Sequence, residues 1–465
     1  RRARTSHLGR RLRGRWRHPR LEGMIRRIDL RAQILSPREL SERLPRAALD
    51  VEAATAAVAP IVDDVRERGG AALRDLAERF DGVRPERLRV PASALEEAAG
   101  SLDSELREAF ELSIAHNRAG HRAQMPAGQE TRIVPGGVVR QRWIPVRRVG
   151  LYVPGGLAAY PSSVIMNAVA AQVAGVEAIA LASPPRKDAG GLVHPTVLAV
   201  CRMLGIEEVY AVGGAQAVAM FAYGAAGEPG TPDPLRLCEP VDVVTGPGNV
   251  YVAAAKRAVR GVVGIDAEAG PTEIAIIADA DADPDYIAAD MVSQAEHDPA
   301  AASVLITDST ALADAVEGRM SERAARTKHS ERVREALGGP QSGIVIVDTV
   351  GAAIDVANAY GPEHLEIHTR HVNRDAKRIR NAGAIFVGPY TPVPLGDYLA
   401  GSNHVLPTGG TARFASGLNV HSFLKAVQEI EYTKEAAAGL YEPLRRMSAD
   451  EDLPAHAEAL QARID

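Results

Sequence analysis

Gln294 and His297 stand three apart in Gln-Ala-Glu-His-Asp (294–298), so at a helix end their side chains share one face. Two such groups leave a tetrahedral cation incomplete, and a neutral Gln is a weak ligand, so taken locally the segment suits an ordinary surface helix end. The loop Pro-Leu-Gly-Asp-Tyr (394–398) adds Asp397, and Gly-Ser-Asn-His (401–404) adds His404; Gly- and Pro-bounded loops are where function concentrates. Gly-Pro-Glu-His-Leu (361–365) sets Glu363 beside His364. Neighbours in an extended segment face opposite ways, so only a turn brings both into one site, where carboxyl and imidazole would divide acid and base work. Read alone, this dipeptide is common.

Two glycine loops, Val-Gly-Gly-Ala-Gln (212–216) and Thr-Gly-Pro-Gly-Asn (245–249), each follow a β-rich run and open a helix. Such loops let backbone amides approach a phosphate, yet neither completes Gly-x-Gly-x-x-Gly, and alone each reads as a tight strand-to-helix turn. Tyr152, in Tyr-Val-Pro-Gly-Gly (152–156), suits a nicotinamide face or a core equally.

The elements that position these residues follow from periodicity. Helical spacing runs from Asp50, placed as an N-cap, to Gln124 through Ala53, Val58, Val62 and Val65. Residues 132–153 turn to β-rich text, with Pro135-Gly136-Gly137 as a turn between strands. Strands and helices then alternate twice, first from 178 to 259 and again from Ile274 to Gly388, which predicts parallel sheets. The expected fold is α/β: two Rossmann-like parallel-sheet domains in series with small helical N- and C-terminal pieces. The expected division is a disordered basic extension 1–23, an arm 24–47, a first α/β domain 48–151 plus 273–419 that carries the Gln-x-x-His, Glu-His and Asp loop motifs, an inserted α/β domain 152–272 that carries the glycine loops, and a helical segment 420–465 without a further strand.

Composition narrows the class. Two cysteines, Cys201 and Cys238, allow neither a disulfide framework nor a thiolate zinc cluster, so any metal is held by nitrogen and oxygen. No apolar run reaches the 18 residues of a membrane span. Of the formal charge of −5, the first 23 residues contribute nine Arg against one Glu, leaving the body at −13, which argues against nucleic acid as its partner. The start lacks the apolar core of a secretory signal and reads as an extension ahead of Met24, so a cytoplasmic location is expected.

Taken in order, Leu-Tyr-Val-Pro-Gly-Gly, Val-Gly-Gly-Ala-Gln, Gly-Pro-Gly-Asn, Ala-Gly-Pro-Thr-Glu, Gln-Ala-Glu-His, Pro-Glu-His-Leu, Gly-Asp-Tyr, Gly-Ser-Asn-His-Val-Leu-Pro-Thr and the final Glu-Asp-Leu-Pro-Ala-His resemble the histidinol dehydrogenase family over Ile25–Asp465. The resemblance implies NAD contacts from Tyr152, Gln216 and Asn249, and one zinc per subunit on Gln294, His297, Asp397 and His456. It implies that Thr272, His364, His404 and Glu451 hold L-histidinol together with those zinc ligands, Thr272 standing where many relatives have Ser. It further implies Glu363 and His364 as the catalytic pair, and a homodimer whose C-terminal segment reaches the partner's site. Zinc would take the imidazole and amine nitrogens of histidinol, His364 would remove the hydroxyl proton as hydride leaves to NAD, and Glu363 would activate water for the second oxidation.

Three rivals remain. A paralogue could oxidise another small alcohol such as a sulfonated diol. A cysteine could form a thiohemiacetal, although Cys201 lies in an apolar helix and Cys238 in none of the motifs. A non-enzymatic α/β protein could bind a metal or nucleotide.

Overall fold

The computed structural model describes residues 25–47, 51–155, 159–268 and 270–465. The expected extension 1–23, the start at Met24, the N-cap at Asp50 and Gly156 lie outside the described residues.

Two parallel sheets organise the chain. One has five strands in the order Gly264–Ile265, Val243–Thr245, Arg148–Tyr152, Ala178–Ser183, Glu208–Ala211. The other has six, in the order Arg27–Asp29, Gly343–Ile346, Ala302–Thr307, Glu273–Ala278, His364–His368, Ala384–Val387. Numbered along the chain, five strands of each sheet follow the order 3-2-1-4-5, so the same doubly wound topology is built twice. The expected α/β class with two such sheets in series is what the structure holds.

The strands are legible because they are short β-branched runs enclosed on both faces. Glu273–Ala278 and Ala302–Thr307 are buried at every position, as a parallel strand covered by helices must be. Helices Pro161–Ala174 and Gly214–Tyr223 are apolar nearly all round because each is sandwiched inside the five-stranded unit.

Three expectations about the pieces are corrected. Helices Val51–Arg68, Ala92–Gly100 and Ser104–Ala123 do not join the later sheet: they pack on helices 214–223 and 250–259, 195–203, and 161–174, all of the five-stranded unit. Val58 and Val62 share a core with Tyr152 and Val218, and Leu95 and Ile114 share one with Val149 and Val200. The N-terminal arm is not only helical, since Arg27–Asp29 extends the six-stranded sheet at its edge. The segment after 420 does contain a strand: Leu424–Tyr432 pairs antiparallel with Gly137–Pro145, which also pairs with Gln129–Val134 across the expected turn at Gly136. That three-stranded sheet stands apart from both parallel sheets, and helices Lys434–Ala438, Tyr441–Asp450 and Pro454–Ile464 follow it.

Candidate active site

At the C-terminal edge of the five-stranded sheet, Arg148–Tyr152 and Val243–Thr245 lie side by side where the strand order reverses, the crevice in which doubly wound sheets bind ligands. The Tyr152 hydroxyl accepts the Gly214 N–H at 3.0 Å, and burial pushes its pKa up to about 12. Gln216 is buried on the helix that Gly214 opens, while Asn249 is exposed and caps helix Val250–Val259, accepting from the N–H groups of Tyr251 and Val252. Gly246, at φ 118°, must be glycine: a Cβ there would stand 2.0 Å from the Tyr152 carbonyl. Buried Lys256 fastens this loop, donating to the Gly246 carbonyl and to Asp266, whose other oxygen accepts the Gly246 N–H at 2.8 Å. Tyr152 and the 246–249 loop therefore meet at one crevice, with Gln216 on the next helix.

The acid–imidazole pair lies at the N-terminal edge of the six-stranded sheet, opposite to the edge that doubly wound sheets usually employ. Glu363 and His364 begin strand His364–His368, beside Glu273–Ala278. Both are buried and do enter one site. Glu363 Oε2 accepts from the Thr272 hydroxyl at 2.7 Å and from the Glu273 N–H at 2.9 Å; burial still outweighs these bonds and raises the carboxyl to about 7. His364 Nδ1 lies 3.2 Å from the Glu273 carbonyl, which only an N–H can satisfy, so Nε2 carries the lone pair. That Nε2 is buried without a hydrogen-bond partner, 3.9 Å from Asp397 Oδ1, and burial lowers the imidazole pKa so that it is neutral. Phe386 packs against the ring.

Gln294 occupies the last turn of helix Pro284–Ala295, which starts with Pro284 behind an Asp283 cap. Its Nε2 donates to Thr272 Oγ1 at 2.9 Å, and since that hydroxyl donates onward to Glu363, the amide is oriented with Oε1 free; Oε1 is buried and has no hydrogen-bond partner. His297 follows in the bend after the helix, exposed to solvent at its outer side, and crowding by the protein and then His364 lower its pKa. Asp397 rides on the short helix Val393–Tyr398, with its carboxyl raised to about 6 chiefly by burial. Gly396 permits that helix to lie against Phe386, whose ring a Cβ would meet at 2.6 Å. His404 bridges the two units: Nδ1 bonds the Asp397 carbonyl at 3.0 Å and Nε2 the Ser163 hydroxyl at 3.2 Å, with burial bringing its pKa down to about 4. Sequence reasoning missed Ser163, for which Pro-Ser-Ser carries no signal.

Thr272, Gln294, Glu363, His364, Asp397 and His404 are thus brought together, with His297 at the rim. Glu451 and His456 are not: both are exposed on the C-terminal helices, and among the described residues no hydrogen bond or ion pair joins 434–465 to the site. The unpartnered Gln294 Oε1 and the nearby Asp397 are what a cation would satisfy, so the donors present fit an N/O-held metal, with the fourth ligand missing from this chain's own cleft. Both cysteines are buried with their thiols pushed up, Cys238 to about 11, which removes them as nucleophiles.

A second buried cluster was not foreseen. Asp290, one turn before Gln294, meets Glu366 and His368 with ligand-type atoms within 4.8 Å, the only such group of His, Cys, Asp and Glu among the described residues. Burial raises Asp290 to about 8 and Glu366 to about 7, against ordinary values of 3.8 and 4.5. A carboxyl whose pKa is raised on folding contributes stability below its unfolded value and loses it as pH rises through the folded one. The buried histidines, all lowered, oppose this only below their ordinary 6.5. Metal-free protein should therefore melt several degrees lower at pH 8.5 than at pH 6.5, and Asp290→Asn should flatten that fall. Equal melting temperatures of parent and variant at pH 8.5 would count against a buried, raised Asp290.

The fold and site define an α/β enzyme built of two doubly wound units, with an acid–imidazole pair buried at the N-terminal edge of the six-stranded sheet. The histidinol dehydrogenase family model matches residues 44–464. Relatives named histidinol dehydrogenase include that of Thermobifida fusca, 57% identical with 96% of this chain and 98% of that protein covered, and that of Bifidobacterium longum, 57% identical with 95% and 94% covered. The crystal structure of histidinol dehydrogenase from Elizabethkingia anophelis superposes with a TM-score of 0.86 at 28% identity, covering 95% of this chain and 98% of that one. The chain belongs to the histidinol dehydrogenase family and is a dehydrogenase. Among the described residues no helix is long and apolar enough to cross a membrane.

Proposed function

We propose that this protein oxidises L-histidinol to L-histidine through L-histidinal with two NAD, closing histidine biosynthesis, and that it needs zinc. The observation that carries this reading is the neutral His364 whose lone-pair nitrogen has no partner, beside Glu363 and the free carbonyl oxygen of Gln294. His364 Nε2 takes the hydroxyl proton of histidinol, with the ring held by the Glu273 carbonyl. Glu363, poised near neutrality, takes a proton from water for the second oxidation. His404 stays neutral with its Nδ1–H given to the Asp397 carbonyl, so its Nε2 would meet histidinol as a hydrogen-bond acceptor in place of the Ser163 hydroxyl. Gln294, His297, Asp397 and His456 would hold zinc, which when bound would take the imidazole and amine nitrogens of the substrate and so orient its alcohol. Tyr152, Gln216 and Asn249 would hold NAD, the hydride acceptor, in the crevice of the five-stranded unit. Thr272 and Glu451 complete the substrate contacts. Residues 51–265 would form the NAD unit, and 273–419 with the arm the catalytic one.

With purified protein, each histidinol should yield two NADH and one histidine without free aldehyde. One NADH per substrate with aldehyde accumulating would overturn the reading. A sulfonated diol is disfavoured because Glu363, Asp397 and Glu451 would repel a sulfonate while pairing with an amine.

Glu451 and His456 would serve the site of a second copy in a two-fold homodimer. This is supported by their exposure and, among the described residues, by helices 441–464 making no hydrogen bond to the body of their own chain. Mixing inactive His364→Ala and inactive His456→Ala proteins and allowing subunit exchange should restore roughly a quarter of the sites, because half the dimers are mixed and one site of two is then intact. Mixed dimers that stay inactive would rule out sharing.

A further inference from the structure

The backbone of one residue holds both members of the proposed catalytic pair: the Glu273 N–H donates to Glu363 Oε2 at 2.9 Å and its carbonyl accepts from His364 Nδ1 at 3.2 Å. The side chain of the same residue is a carboxylate buried to 3% exposure. It faces neither Glu363 nor His364 through any hydrogen bond, and is held from elsewhere. Its Oε1 accepts the Gly409 N–H at 3.1 Å and lies 3.7 Å from the Arg46 guanidinium. Arg46 in turn donates to the Tyr360 carbonyl and covers the Tyr360 ring at 4.2 Å. Thr408, beside Gly409, accepts the Gly270 N–H, so the 408–409 loop grips the stretch leading into Glu273 on two sides.

Three segments far apart in sequence, the N-terminal arm, the first residue of a central strand and the 408–410 loop, thus converge on one buried carboxylate. Burying a carboxyl is costly, and burial raises this one to about 7 although Arg46 opposes the shift; an apolar residue would fill the same space, so the carboxyl needs a use that packing does not supply. We infer that Glu273 is the positioning residue of the catalytic pair: Arg46 and the Gly409 amide lock its side chain, and the two peptide groups flanking its Cα set where the Glu363 oxygen and the His364 ring stand. The inference rests on reading Glu363 and His364 as catalytic.

The test uses the full-length metal-loaded enzyme with histidinol and NAD. Glu273→Ala should lower kcat about 100-fold, as expected when reacting groups shift by about 1 Å, while KM for histidinol stays within about threefold. Glu273→Gln, which keeps an acceptor for the Gly409 amide but loses the charge facing Arg46, should recover about tenfold of that loss, and Arg46→Met should resemble it. Nitrogen-15 spectra of the histidines should show His364 as the Nδ1–H tautomer in the parent and as a tautomer mixture in Glu273→Ala, a change that general loosening elsewhere would not confine to this ring. Should Glu273→Ala not fold, Glu273→Gln and Arg46→Met decide. A kcat within twofold of the parent in Glu273→Gln and Arg46→Met, or a His364 tautomer that never changes, overturns the inference. His364→Ala is the control: if it stays active, the catalytic reading has failed, whereas its inactivity beside an active Glu273→Gln condemns the positioning role alone.

Discussion

Replacing His364 by Ala should abolish histidinol oxidation, lowering kcat by about three orders of magnitude, within the range for removal of a general base in a closed site. Its Nε2 is the buried, unpartnered lone pair in the cleft, and no neighbouring group can take its place: Asp397 stands 3.9 Å away and His404 is committed to Ser163 and the Asp397 carbonyl. Glu363→Gln should behave differently. It keeps the shape and the acceptor for Thr272 and the Glu273 amide but cannot take up a proton, so oxidation of added histidinal should suffer by at least tenfold more than alcohol oxidation. Stopped-flow NADH bursts followed by slow turnover would show this split. Equal damage to both halves would remove Glu363 from the water step.

Metal removal should have the other large effect. Gln294, His297 and Asp397 are neutral or singly charged N/O donors, and such a set holds a divalent ion less tightly than thiolates would. Prolonged chelation should take turnover below about one hundredth of the starting rate, with zinc restoring it, given that a Lewis acid contributes several kcal/mol to such a step. The fold should survive, because the two apolar cores and the ladders of both parallel sheets do not pass through these side chains. Full activity in metal-free protein, verified by elemental analysis, would refute the ligand assignment.

The doubly wound sheets were legible because β-branched runs such as Ile274–Ala278 admit no other reading between helical segments. What periodicity leaves open is which sheet a helix covers. Val58 and Val62 announce a buried face, but only the packing shows that it meets Val218 rather than the later sheet. Leu424–Tyr432 escaped because it is exposed on both faces, leaving no buried side to read, and because Val427 and Gln428 exchange places in its alternation. The candidate site residues came from motifs, yet the Glu273 backbone that bonds Glu363 and His364 did not stand out from them, and Asp290, Glu366 and His368 escaped because they sit on two elements with no shared spacing. Tyr152 lies at the carboxyl end of its strand, where ligands of open α/β sheets usually sit, whereas Glu363 and His364 lie at the amino end of theirs.

The nine-residue ladder between Leu424–Tyr432 and Gly137–Pro145 also dictates an order of assembly. Strand 137–145 leaves the ribosome early and pairs at once with 129–134 through a tight turn, but its second edge waits until almost the whole chain has been made. Through that interval it presents a row of unpaired backbone groups, a template for any other extended chain. Arg140 and Arg142 on that edge strand repel a second copy of themselves and attract the acidic Glu429 and Glu431 of the arriving strand, so charge guards the vacancy against like chains until its own partner closes it.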